Sequence, residues 1–222
     1  MRRNPENINQ HLFNESFYKG LPVMRNMGPF IEEYLEATFR TLDYALAQYP
    51  RIFSFRADLR FPHGVDLANC ERSNAVIAAF FESFKAKIRH HQAMVSKRAG
   101  FAHGSKVRYI WCREIGQWGR PHYHILIILN RDAYYTVGRL GSEADNMVSR
   151  LEEAWASALG LSRDQVSGLV HIPDNAVYRV DRHDRPGKGN QLSELYERVS
   201  YLSKAGTKRF GNRLHGFGCS RG

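Results

Sequence analysis

Cysteine is scarce: Cys70, Cys112 and Cys219 stand far apart and form neither a CxxC pair nor a zinc-ligand spacing. A disulfide scaffold is thereby excluded, and a reducing cytoplasm is the default setting. No apolar run approaches the ~18 residues needed to cross a bilayer, so no membrane partner is expected. The polar opening MRRNPENINQ has no apolar core of the kind a signal peptide needs. Internal repeats and low-complexity tracts are absent too. What remains is a chain of 222 residues, 43% hydrophobic and 12% aromatic, which can build one domain and is not disordered.

Acidic residues are also under-represented: 22 Asp/Glu face 32 Lys/Arg, a formal charge of +10. That excess points to a polyanionic partner, nucleic acid being the commonest, against the plainer alternative of an ordinary basic protein. The charge is not spread evenly. Residues 1–50 carry five Lys/Arg and six Asp/Glu, residues 51–104 nine and four, residues 105–178 eight of each, and residues 179–222 ten and four. Two basic blocks flank a neutral middle, which is where a site for a polyanion is expected.

Residues 1–27 read as a loosely docked polar arm, leaving 28–222 as one domain. From Pro29, an apolar stripe through Ile31, Leu35, Phe39, Leu42, Leu46 and Tyr49 predicts a helix that Pro50 closes. The next stretch alternates. Phe53, Phe55, Ala57, Leu59 and Phe61 predict a buried strand face, and Ser54, Arg56, Asp58 and Arg60 a polar one. Ser73 is placed to cap a helix whose stripe is Val76, Ile77, Phe80, Phe81, Phe84 and Ile88. Strands over 107–115 and 121–130 follow, joined by a turn at Gly116–Gly119. Ile125–Leu129 is apolar without alternation, which predicts a central strand covered on both faces.

A helix from Ser142 through Val148, Leu151, Trp155 and Leu159 stops at Gly160, and a short strand is expected near 176–181. Residues 183–190 read as a loop, 192–205 as a last helix and the rest as a Gly-rich basic tail. Helices alternating with a largely hairpin-connected sheet define an α+β fold with a mainly antiparallel central sheet.

The chemistry concentrates in two places. His122 and His124 lie two residues apart on a strand, so both imidazoles face one way and Tyr123 the other. They supply two-thirds of a divalent-metal site, and Glu114, almost across the hairpin from His122, is the available third ligand. Two imidazoles and a carboxylate suit Mg²⁺ or Mn²⁺ better than structural zinc. The alternative is a pair of satisfied or solvent-facing histidines.

On the last helix, Leu192, Leu195, Val199 and Leu202 make the apolar stripe. Tyr201 lies outside it with Lys204 on the same side, and Tyr196 sits at its flank. A tyrosine with a cation one turn away can be a nucleophile beside a phosphate-steadying group, or simply a surface ring over its neighbour. Trp118 in the hairpin turn can stack on a base or pack at the sheet rim.

Taken together, these residues resemble the HUH endonucleases that start rolling-circle replication, in particular the inovirus gene-two-type replication proteins also found in cryptic prophages. The matching stretches are Arg56-Ala-Asp-Leu-Arg-Phe-Pro62, Glu114, Pro121-His-Tyr-His-Ile-Leu126 with Asn130, and Ser200-Tyr-Leu-Ser-Lys204 with the Phe-Gly-containing tail. They cover roughly residues 30–222. One departure is Tyr123, where a hydrophobic residue is usual.

The resemblance implies an HUH-like nicking domain in the cytoplasm of a bacterial host. His122, His124 and Glu114 would hold Mg²⁺ or Mn²⁺ against a scissile phosphate of single-stranded DNA at a replication origin. Tyr201 would attack to leave a 5′-phosphotyrosyl link, and Lys204 would contact phosphate or help ionise the phenol. Arg56, Asp58 and Arg60 would meet the DNA backbone, or equally form a solvated strand face. The free 3′-OH would pass to the host replication machinery. A non-catalytic DNA-binding prophage protein on the same fold, and a metal nuclease using water, are the competing expectations.

Overall fold

The strand built around Ile125–Leu129 sits at the centre of the molecule, as its unbroken apolar run requires. The computed structural model describes residues 2–63, 73–116, 119–138, 145–183, 190–208 and 215–221. The chain opens with β1 (Arg2–Asn4), β2 (Asn7–Phe13), β3 (Phe17–Tyr18), β4 (Leu21–Pro22) and β5 (Phe30–Ile31). Helix α1 (Glu32–Gln48), strand β6 (Arg51–Arg60) and helix α2 (Ala75–Ala99) follow. Next come β7 (Arg108–Ile115), β8 (Pro121–Asn130) and α3 (Met147–Leu159). The last elements are β9 (Val170–His171), β10 (Val177–Asp181), α4 (Gln191–Ser200) and β11 (Phe217–Cys219).

The main sheet runs β10-β6-β8-β7-β11, with β9 also on β6, and every pairing is antiparallel. The fold is therefore α+β. Tyr123, Ile125, Ile127 and Leu129 of β8 enter a core with the aromatic stripe of α2 and with α3. Leu126 and Ile128 point the other way, into a second core with α1, α4 and the N-terminal segment. Each fully buried side chain of this size contributes about 1.5–3 kcal/mol, so both faces of β8 hold the layers together.

This double cover changes the reading of β6. Its even residues are only partly solvated: Ser54 is fully buried, Arg56 is 6% exposed and Asp58 is half-buried, while Arg60 is exposed. The N-terminal arm is corrected as well. β1, β2 and β5 form a small sheet, and Tyr18, Leu21, Val23 and Phe30 are buried in the second core. Its polar composition hid this because a few apolar anchors suffice to dock it.

Helix α1 starts at Glu32 rather than at Pro29, because Phe30 and Ile31 pair with Phe13 and Leu12 of β2 instead. Ser73 does accept the Ala75 N–H at 3.0 Å, although Asn74 is the first cap residue of α2. Ser142 lies outside the described residues. Helix α3 is capped by Asn146, whose side chain accepts the Ser149 N–H at 3.0 Å while Ser149 Oγ accepts from the Asn146 N–H at 2.9 Å. Asn146→Ala is accordingly expected to cost about 1 kcal/mol, read as a lower urea midpoint with an unchanged slope.

Part of the Gly-rich basic tail pairs with β7 as strand β11. Its register places Gly218 opposite Trp111, where a Cβ would come within 2.7 Å of the indole. Only glycine permits that approach, so a residue suggestive of irregular chain is what lets the strand form. Cys70 and Trp118 lie outside the described residues, as do 184–189 of the expected loop. Among the described residues, no helix is long and apolar enough to cross a membrane.

Candidate metal and tyrosine site

The site is a consequence of register. In the β7–β8 hairpin Glu114 pairs with His122 and Cys112 with His124, while β6 places Asp58 opposite His124 and Arg60 opposite His122. All these even-numbered residues face the side of α1 and α4. Tyr123 faces the opposite core, fully buried among Phe61, Trp111 and Trp155. The extra bulk at this position therefore serves packing.

His122, His124 and Glu114 offer ligand atoms that all lie within 4.8 Å of one another. The two Nε2 atoms are 3.1 Å apart, and His124 Nε2 is 3.6 Å from Glu114 Oε2. Two imidazole nitrogens so close repel unless a proton or a cation sits between them. Asp58 Oδ1 lies 2.6 Å from His124 Nδ1, so that nitrogen donates to the carboxylate and Nε2 is turned to the cluster. The donor set fits a divalent cation.

Glu114 is held by one oxygen and offers the other. Its Oε1 accepts from Thr207 Oγ1 at 2.7 Å and from Lys208 Nζ at 3.3 Å, with Cys112 Sγ at 3.9 Å. Oε2 is left toward His124 and the Tyr201 hydroxyl, which donates at 3.4 Å. Burial pushes the Glu114 carboxyl up, but His124, Lys208 and Thr207 outweigh it and hold the group far below the usual carboxylate range. Asp58 is likewise lowered, its burial outweighed by the hydrogen bond with His124. Burial alone would lower His124 too, yet Asp58 and Glu114 raise it above its ordinary 6.5. His122 falls below 6.5 through burial and the neighbouring His124.

The α4 end differs from the expected helix to residue 205. Asn190 caps its start by accepting from the N–H groups of Leu192 and Ser193, and Leu195, Tyr196 and Val199 are buried. The α-helix ends at Ser200, and Tyr201–Ser203 form a 3-10 turn. The N-terminal segment causes this change. The Ala205 N–H donates to the Pro29 carbonyl at 2.9 Å, Lys204 bridges to Phe30, and the Met24 N–H donates to Ser200 Oγ.

Tyr201 is consequently aimed at the cluster, its ring 5.5 Å from that of His124. Lys204 Nζ lies 3.9 Å from the ring centroid and Arg56 Cζ 5.6 Å. Tyr196 is fully buried with its hydroxyl donating to the Leu35 carbonyl, and so takes no part.

Arg56, Asp58 and Arg60 divide. Arg56 lies beneath Tyr201, Asp58 serves His124, and Arg60 lines an open cleft of about 410 Å³ with Arg120, His63, His122 and His124. Thr207 and Lys208 at Glu114, and His171, whose Nδ1 is 3.6 Å from Asp58 Oδ2, join the cluster without a signal in the sequence. Lys208 stands in a Lys-Arg pair that reads as surface charge, and His171 sits on a two-residue strand too short to show periodicity.

The family model described as the YagK/YfjJ C-terminal domain matches residues 13–220. The uncharacterized protein YagK of Escherichia coli (strain K12) is 34% identical over 199 residues, covering 87% of this chain and 95% of that protein. The uncharacterized protein YfjJ of the same strain is 30% identical over 204 residues, covering 88% and 97%. No solved structure matches. With nearly its whole described sheet, its histidine pair and Tyr201 inside the matched region, this chain belongs to the YagK/YfjJ C-terminal domain family.

Proposed function

We propose that the protein is a metal-dependent enzyme that nicks and rejoins single-stranded DNA through a covalent bond to Tyr201, in the manner of the HUH endonucleases it resembles. The observation that carries this reading is the convergence of a His-His-Glu ligand set and a tyrosine hydroxyl on Glu114 Oε2. A water-using nuclease would have no need of that tyrosine, and a merely structural histidine pair would have no need of the carboxylate.

His122, His124 and Glu114 would hold Mg²⁺ or Mn²⁺, which supplies polarisation of the scissile phosphate and offsets its developing charge. The chain does the rest. Asp58 keeps the His124 ring in its orientation, and Thr207 with Lys208 fixes the Glu114 carboxylate. Tyr201 attacks phosphorus, and Lys204 and Arg56 beside its ring meet the phosphate's negative charge. Arg60 and Arg120 in the cleft bind the neighbouring backbone. Because the phosphotyrosyl bond retains the phosphodiester's energy, a 3′-OH can reverse the step. That chemistry fits initiation of rolling-circle replication in a phage or prophage.

The test is incubation with single-stranded DNA and Mn²⁺ followed by a denaturing gel. A covalent adduct carrying the 3′-side fragment is expected, and chelation should abolish it. Cleavage without an adduct would favour hydrolysis by water, and binding alone a non-catalytic DNA-binding protein.

The histidines also set a pH dependence. Asp58 and Glu114 raise the pKa of His124 above 6.5 while burial lowers that of His122, so a cation competes with a proton chiefly at His124. Mn²⁺ affinity should therefore rise with pH, by about tenfold per unit below the folded-state value, and level off above it. Calorimetry in buffers of different ionisation enthalpy should count about one proton released per ion; no release would contradict this assignment.

A further inference from the structure

One histidine on the active face of the sheet has no part in this scheme. His171 of β9 and His124 of β8 both pair with Asp58, from opposite sides of β6. Asp58 thus divides its oxygens, Oδ1 at 2.6 Å from His124 and Oδ2 at 3.6 Å from His171. The two histidines differ in access: the His124 side chain is 12% exposed and that of His171 47%. Gly168 and Leu169, just before β9, wall the cleft that Arg60, His122 and His124 also line. Tyr201 stands at the other flank, over Glu114 of β7. Across the sheet the order is Tyr201 with Glu114, the histidine pair, Asp58 and then His171.

Displacement at phosphorus places the attacking and leaving oxygens roughly in line, on opposite sides. The geometry points to His171 as the general acid that protonates the 3′-oxygen expelled when Tyr201 attacks, with Asp58 orienting its ring. This assignment rests on the nicking reading above. Asp58 engages Nδ1, so the proton to be given is the one on Nε2. The Tyr201 oxygen–phosphorus bond forms, and the phosphorus–3′-oxygen bond breaks with its electron pair going to oxygen. That oxygen takes the Nε2 proton, and the phenolic proton goes to solvent. In rejoining, Nε2 takes the proton back from the 3′-OH.

The test compares adduct formation on two oligonucleotides of one sequence, the natural one and one with sulfur replacing the bridging 3′-oxygen at the scissile link. A thiolate leaves without protonation, since a thiol near ~8.5 is far more acidic than an alcohol. His171→Ala, and His171→Asn, which keeps a donor for Asp58 but has no proton to give, should slow adduct formation on the natural strand by about 10²-fold or more. On the sulfur strand both should match wild type, and their Mn²⁺ affinity should be unchanged. Equal slowing on both strands overturns the assignment, as does weakened Mn²⁺ binding, which would make His171 a support for Asp58. If wild type forms no adduct on either strand, the nicking reading falls and this assignment falls with it.

Discussion

Tyr201→Phe is expected to yield no covalent adduct with single-stranded DNA, while the protein folds and binds Mn²⁺ as wild type does. Among the described residues the hydroxyl removed donates to Glu114 Oε2, at 3.4 Å. A bond that long contributes at most about 1 kcal/mol. The ring keeps its edge contact with His124 and its cations, Lys204 and Arg56. The ligand atoms of His122, His124 and Glu114 remain in place, so the cation should bind with wild-type affinity. What disappears is the oxygen that bonds to phosphorus. Tyr196 cannot replace it, since that side chain is fully buried against α1. An adduct surviving in the variant would move the nucleophile elsewhere and overturn the role given to Tyr201. A loss accompanied by a large drop in melting temperature would show that the ring's place in the fold, rather than its oxygen, had been removed.

The features that made Tyr201 visible in the sequence are not the ones that aim it. Helical spacing put it outside the stripe of Leu195 and Val199, which holds, and beside Lys204, which also holds. It did not show that the helix stops at Ser200. That stop depends on Pro29 and Phe30 pairing with residues about 175 positions away, and no local pattern encodes such a contact. The polar N-terminal segment reads as a loosely docked arm for the same reason, although Met24, with Pro29 and Phe30 just after it, holds the end of α4 and the Tyr201 turn.

The hairpin behaves differently. Counting across Gly116–Gly119 puts Glu114 within one position of His122, and the observed register, Ile115 with Pro121, makes them direct partners, because antiparallel pairing with period-two side chains leaves little freedom. β8 was legible as central because a strand covered on both faces has no reason to alternate. β6 misled for the converse reason: its alternation is real, but the polar side holds the buried Ser54 and Arg56 under a second core, and only Arg60 at its end is exposed. Asp58 lies against His124 and Arg56 against the Tyr201 ring, contacts that the alternation of β6 does not disclose. Thr207, Lys208 and His171 were illegible because each reaches the cluster from a turn or a two-residue strand.

Lys208 gives the strongest expected effect on stability. Its side chain is wholly buried, and its ammonium lies 3.3 Å from Glu114 Oε1. Burial lowers its pKa, but Cys112 and Glu114 outweigh this and raise it, so it is held charged. Glu114→Ala leaves that charge buried without its carboxylate, which costs about 3–5 kcal/mol. For a chain of this length the melting temperature should fall by roughly 10 °C. Adding Lys208→Met removes the orphaned charge and should restore much of the loss, because deleting both members of a buried pair is far milder than deleting one.

Mn²⁺ binding should not return in the double variant, since the ligand itself is gone. Lys208→Met alone reverses the argument. The buried carboxylate then lacks its ammonium, and a cation at His122 and His124 becomes its main compensating charge. Mn²⁺ should therefore raise the melting temperature of this variant more than that of wild type, because the ion binds the folded state and now relieves a larger strain there. Thermal unfolding of the four proteins with and without Mn²⁺ checks the whole set. An equal Mn²⁺ shift in wild type and Lys208→Met would mean that Glu114 does not face the ion.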